Sequence, residues 1–207
     1  MRLHYHPLSS YSRKTAIGIG LRGDPVELVS VDVFAGGLSK PEYRALNPFG
    51  KMPVLETPEG PVFESTSILE YLESFGPAVL LPAGQERQAR HWDRLGDLYL
   101  LEPIGEFFWR KSAKNREGAE KTTATAWGLW TKALADGRPF LLGEAITLAD
   151  LSAAVAVHYA QTEGLTVPGA VLAYGDRLYA HPVLAASRAA AMPIVEATLS
   201  RRMATVT

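Results

Sequence analysis

The strongest constraint on the fold is a change of hydrophobic period near residue 80. Before it, short runs with alternating apolar residues are interleaved with helix-like stretches. Met1, Leu3 and Tyr5 repeat at every second position, and residues 26–33 carry Val26 and Leu28 followed by the β-branched Val29, Val31 and Val33. Between them Ile17 and Leu21 stand four apart among small residues, which predicts a helix over 12–21. A short helical piece at 40–46 leads into the turn Pro48-Phe49-Gly50, and Val54-Leu55 and Val62-Phe63 then read as two strands joined by Pro58-Glu59-Gly60. The order is βαβ, then α, then ββα, which implies a small mixed sheet with helices on its faces. After Gly76-Pro77 and Leu81-Pro82-Ala83-Gly84 the strand signal is gone. Helix-length stretches at 86–111, 117–134, 148–163, 171–179 and 182–199 predict an all-α remainder. The expected division is an α/β domain at 1–76, a linker at 77–84 and an all-helical domain at 85–207.

Charge and one missing residue type narrow what the chain binds. Lys and Arg number 21 against 22 Asp and Glu, a formal charge of -1, with no basic run suited to a phosphate backbone, so nucleic acid is not an expected partner. No charged leader precedes an uninterrupted apolar stretch, and the longest apolar reach, around 148–159, is broken by Asp150, Ser152 and His158. A cytoplasmic protein without a membrane partner is expected. Cysteine is absent, which removes disulfides, thiolate metal ligands and any mechanism that uses a protein thiol. His4 and His6 flank Tyr5 with no acid at metal-site spacing, so no metal centre is predicted and both read as strand side chains.

The run Asn47 to Leu55, followed by Phe63-Glu64-Ser65-Thr66, carries the clearest sign of a binding site. A proline before a short strand is either an edge residue or a cis proline that turns a loop so that a backbone amide faces a bound peptide. The second segment favours a cis Met52-Pro53 bond, because Glu64-Ser65-Thr66 open the apolar-periodic stretch Ile68, Leu69, Tyr71 and Leu72. An acid and hydroxyls there meet free helix amides and can hold the amine and carboxylate of a small zwitterion; helix capping alone also accounts for them. Ser9 and Ser10, between the first strand and the first helix, read either as N-caps or as hydroxyl donors beside a helix N-terminus. The segment Ile146 to Leu151 is a folding signal instead: Thr147 caps, Asp150 sits at N3 and Ile146 can staple against Leu151.

Taken together, the alternating first half, the Asn47 to Leu55 turn, Glu64-Ser65, the Thr147-Leu148-Ala149-Asp150 box and the helical second half resemble the cytosolic glutathione S-transferase family over essentially the whole chain. The stretch Ser9-Ser10-Tyr11-Ser12 is similar to the Ser-Ser-Cys-Ser of its zeta class, with Tyr11 where that class has cysteine. That departure weakens the transfer of the maleylacetoacetate-isomerase activity that the zeta class implies; glutathione-dependent isomerisation stays an alternative to glutathione transfer, as does a non-catalytic binding protein of the same fold, against which the retained Ser9, Pro53, Glu64 and Ser65 argue.

The resemblance implies a thioredoxin-like N-terminal domain, glutathione as co-substrate, a small apolar electrophile as second substrate, and a homodimer. A thiol titrates above neutrality, so the site must favour the thiolate. In the family's pattern the first hydroxyl after the strand does this, which maps to Ser9, with Ser10 as a cap or second donor and Tyr5 as the rival activator or a core residue. Met52, before Pro53, would offer its backbone to the cysteinyl unit, Glu64 and Ser65 would receive the γ-glutamyl end, and Lys51 or Lys40 the glycyl carboxylate. Tyr11, Phe34, Phe107, Phe108 and Trp109 are candidates for the electrophile's side of a cleft between the domains, most of them being core.

Overall fold

A computed structural model describes residues 1–204, in two compact units: residues 1–72 together with those from Pro182 onward, and Glu73–His181. The first unit runs β1 (Arg2–Tyr5), α1 (Ser10–Arg22), β2 (Glu27–Ser30), a short turn of 3-10 helix (Gly37–Ser39), α2 (Pro41–Leu46), β3 (Val54–Thr57), β4 (Gly60–Phe63) and α3 (Ser65–Glu73), with α9 (Pro182–Ala204) added from the far end of the chain. The strand order is β2-β1-β3-β4. β1 is parallel to β2, which requires the α1 crossover, and antiparallel to β3, which is in turn antiparallel to β4. This is the expected thioredoxin-like arrangement.

Alternation along the strands sorts the core to two faces. Leu3 and Leu55 point toward Ile19 of α1 and Ile68 and Leu72 of α3, while Val54 joins Val31 and Tyr43 on the other face. The second strand is shorter than its sequence pattern, because β1 ends at Tyr5 and leaves nothing further to pair with. The N–H of Val31 still donates to Tyr5, and then Asp32 breaks the strand by accepting the amides of Phe34 and Ala35 at 3.1 and 3.0 Å. α9 groups with this unit and not with the helices before it in the expected 85–207 domain. Gly20 shows why it fits: a Cβ there would stand 2.7 Å from Val183, so the missing side chain lets α9 lie directly on α1.

The second unit is all helical, with α4 (Glu86–Gly96), α5 (Glu102–Trp109), α6 (Ala113–Ala133), α7 (Leu148–Thr162) and α8 (Gly169–Tyr179). The helix expected over 86–111 is interrupted by a π-helical turn at Asp97–Leu101. Pro103 accounts for the interruption, since it has no N–H to give Tyr99 and its ring would press on that carbonyl in a regular helix. α7 is the centre: every residue from Leu148 to Ala160 is buried. Its start carries the expected capping box. Asp150 accepts the N–H and hydroxyl of Thr147 through Oδ2, at 2.9 and 3.0 Å, and the N–H of Leu141 and hydroxyl of Tyr174 through Oδ1, at 2.9 and 2.6 Å. Burial raises its pKa from the usual aspartate range, against the pull of these four bonds. α4 meets α7 where Gly96 faces Ser152, whose hydroxyl donates to Asp97 at 2.7 Å. Among the described residues no helix is long and apolar enough to cross a membrane.

Candidate active site

Strand register fixes which loops meet. His4 pairs with Val54, and Val54 with Phe63, so the end of β1, the beginning of β3 and the end of β4 lie at one end of the sheet. The segments leaving that end carry Ser9 and Ser10, Met52 and Pro53, and Glu64 and Ser65. These candidates, far apart in sequence, are thereby gathered at one place in the first unit. Lys14 of α1 adds a tie, donating from Nζ to Thr66 of α3 at 2.9 Å.

The first of these segments is a tight turn, His6-Pro7-Leu8-Ser9, closed by Ser9 N–H donating to the His6 carbonyl at 2.9 Å with Pro7 at the second position. Ser9 is the N-cap of α1: its backbone is extended (φ -81°) and its Oγ accepts the N–H of Ser12 at 3.3 Å. A hydroxyl that accepts keeps its own hydrogen for donation, so capping and activation of a thiol are compatible in one side chain. Among the described residues that hydrogen has no acceptor, and Ser9 is only half-buried. α1 has no acidic residue in its first turn, which leaves its free amides and dipole favourable to an anion. Ser10 begins the helix and Tyr5 packs beside the cluster of Leu3, Ile19, Leu55, Ile68 and Leu72.

The second segment is built by Asn47. Its carbonyl accepts Gly50 N–H at 2.9 Å, its Oδ1 accepts Phe49 N–H at 3.0 Å, and its Nδ2 donates to the Lys51 carbonyl at 2.9 Å. Gly50 suits the turn because it holds φ +58°, a left-handed conformation that glycine adopts without strain, and it lies against the Arg44 guanidinium. The Tyr43 hydroxyl, its pKa pushed up to about 12 by burial, also donates to the Lys51 carbonyl, at 2.8 Å. Directly after this doubly held carbonyl comes the Met52-Pro53 bond, which is cis as the sequence predicts. Met52 packs its side chain beside Val31, Tyr43 and Val54, and the Lys51 side chain is exposed, as is that of Lys40.

Glu64, at the third segment, has φ +73°, a left-handed conformation that costs a non-glycine residue of order 1 kcal/mol or more. Its carbonyl accepts Ile68 N–H at 2.9 Å while its side chain is exposed, and Ser65 is buried at the first position of α3. Of the aromatic candidates, Phe107 and Phe108 are core, Phe108 meeting Tyr159 edge-to-face, whereas Trp109 and Phe34 are half-exposed. Two contacts escape the sequence reading. His4 bonds to Glu56 across the strands, and the His6 ring turns back to the loop it precedes.

Comparisons with known proteins decide the family. Residues 3–78 match the glutathione S-transferase N-terminal domain and residues 113–186 its C-terminal domain. A glutathione S-transferase of Pseudomonas putida is 32% identical over 176 residues, covering 81% of this chain and 78% of that protein. The chain belongs to the glutathione S-transferase family. Glutathione S-transferase F10 of Arabidopsis thaliana is 37% identical over 93 residues, a match that takes in 42% of this chain and only 43% of that family member. A glutathione S-transferase domain-containing protein of Marinobacter aquaeolei has the same fold, with a TM-score of 0.77 at 24% identity, over 89% of this chain and all of that one.

Proposed function

We propose that this family member is a glutathione transferase of the serine type, in which Ser9 holds the glutathione sulfur as a thiolate for attack on a small apolar electrophile. One observation carries the assignment: the Ser9 oxygen is anchored by the Ser12 amide while its hydrogen has no acceptor among the described residues. Ser10 and Tyr5 lack that anchor, and Tyr5 lies against the core. In the reaction the thiol proton leaves to solvent, Ser9 donates a hydrogen bond to the sulfur without losing its own proton, and a carbon–sulfur bond forms as the halide departs from an aromatic halide or, on an isothiocyanate, as the nitrogen takes up a proton from solvent. Met52 would meet the cysteinyl backbone in the manner of an added strand, Glu64 and Ser65 the γ-glutamyl amine and carboxylate, and Lys51 the glycyl carboxylate. The working form is a homodimer, for which light scattering that finds only monomer at micromolar concentration is the contrary result.

Steady-state kinetics on Ser9→Ala test this reading. The hydrogen bond is lost to the thiolate and not to the rest of the tripeptide, so the rate should fall about ten- to a hundredfold near neutrality while glutathione binding stays within a few-fold. The deficit should shrink at alkaline pH, where solvent deprotonates the sulfur unaided. A full rate in Ser9→Ala with a loss in Tyr5→Phe moves the role to Tyr5; full rates in both move it to Ser10. Substrate panels separate conjugation from glutathione-dependent isomerisation: turnover of a cis-alkenyl diketo acid, with aromatic halides and isothiocyanates untouched, overturns the transferase reading.

A further inference from the structure

The turn that presents Ser9 is held at both of its free amides by one residue. The His6 carbonyl accepts the N–H of Ser9 at 2.9 Å, and its ring Nδ1 accepts the N–H of Leu8 at 3.2 Å. The second bond is the one that Asn or Asp makes from the first position of such a turn, where a side-chain acceptor captures the amide two residues on. It demands a particular proton state. Nδ1 must carry a lone pair, and an imidazolium has a hydrogen on both nitrogens, so in the charged ring N–H would face N–H.

We propose that His6, as the neutral ring with Nδ1 unprotonated, is the positioning residue for the Ser9 hydroxyl, and that protonating the ring releases the turn. The proposal rests on the assignment of Ser9 as the thiolate's donor. The surroundings of the ring favour the neutral state. His6 is 8% exposed, and Phe34, in the segment after β2, stands edge-to-face with it at 5.9 Å. Asp32 of that segment is the charged group acting on the ring; its Oδ1 is already taken by the amides of Phe34 and Ala35. Farther along the same side of β1, His4 bonds to Glu56, which also meets Arg2, and stands edge-to-face with Tyr43 of α2. Burial draws the His6 pKa below its ordinary 6.5, with Asp32 pulling it part of the way back. The grip on the turn is therefore complete above the ordinary value and is lost as pH falls through the lowered one.

Two variants and one titration test this in the full chain. Backbone amide resonances of Leu8 and Ser9 should shift together in the wild type, with a common midpoint below about 6.5, and should stay flat over that range in His6→Asn. The Asn side chain keeps the acceptor but does not titrate. His6→Ala should lose about fivefold in kcat near neutrality with the KM for glutathione little changed, and His6→Asn should restore it. In the acid range the wild-type rate should fall more steeply than that of His6→Asn, because the wild type loses both the thiolate and the turn. Flat Leu8 and Ser9 amides in the wild type, or a His6→Asn as slow as His6→Ala, overturn the proposal. If those amides titrate but Ser9→Ala keeps the full rate, the Ser9 assignment has failed and the role of His6 in the rate falls with it. If the amides are flat and the rate depends on Ser9, the His6 proposal alone has failed.

Discussion

At the start of α7 every polar atom of the cap is engaged: the Thr147 hydroxyl donates to Asp150, and the Asp150 oxygens collect four donors in a fully buried setting. At the start of α1 the Ser9 hydroxyl accepts one amide over 3.3 Å, is half-exposed and keeps its hydrogen uncommitted among the described residues. Both are N-caps with a hydroxyl at the same position of a helix. Capping therefore does not compete with chemistry; what matters is whether anything is left over once the cap is made, and whether a small molecule can reach it.

The two caps separate most widely at Asp150. Replacing it with alanine should cost about 3 to 5 kcal/mol of unfolding free energy, because the cap is lost and the Leu141 amide and Tyr174 hydroxyl are left buried without an acceptor. A denaturant titration that finds less than about 1 kcal/mol reduces the box to an ordinary surface cap. Ser9→Ala should show the reverse balance. Its stability should drop by no more than about 1 kcal/mol, while its loss of rate is the larger effect. A third helix start, that of α3, adds a case in which an acid stands beside the amides. Calorimetry on Glu64→Ala should show at least about a tenfold weaker affinity for glutathione with the fold intact, from the loss of a charge-assisted contact to the γ-glutamyl end. Unchanged affinity makes Glu64 a helix-start residue only. A slighter change is expected at the same position: Glu64→Gly should leave thermal stability unchanged or raise it by up to about 1 kcal/mol, since glycine adopts φ +73° without strain, yet it should bind glutathione as poorly as Glu64→Ala. A clear loss of stability in the glycine variant argues that the left-handed backbone there is not strained.

The succession of strands and helices in the first unit, the cis Met52-Pro53 bond and the Thr147–Asp150 box were legible because each is written in adjacent residues: alternation, a turn ahead of a strand, a hydroxyl three places before an acid. The interruption at Asp97–Leu101 was not, since the apolar pattern of 86–111 continues through it and only Pro103 hints that a helical bond is missing. Likewise the end of β2 at Ser30 depends on where β1 stops, a fact about the partner strand. At the site, the residue types could be read but their state could not. Whether Ser9 retains a hydrogen is settled by its neighbours in space, and the His6 ring folding back on Leu8 looks in sequence like any strand histidine.

The closeness of Gly20 to Val183 has a bearing on how the protein is made. The first unit is discontinuous in sequence, with residues 73–181 standing between its sheet and the helix that completes it. On a ribosome the sheet, α1 and the loops of the candidate site emerge early, and at ordinary elongation rates they wait on the order of ten seconds before α9 is available to cover α1. During that interval the face of α1 at Gly20 stands without the helix that packs on it in the finished unit.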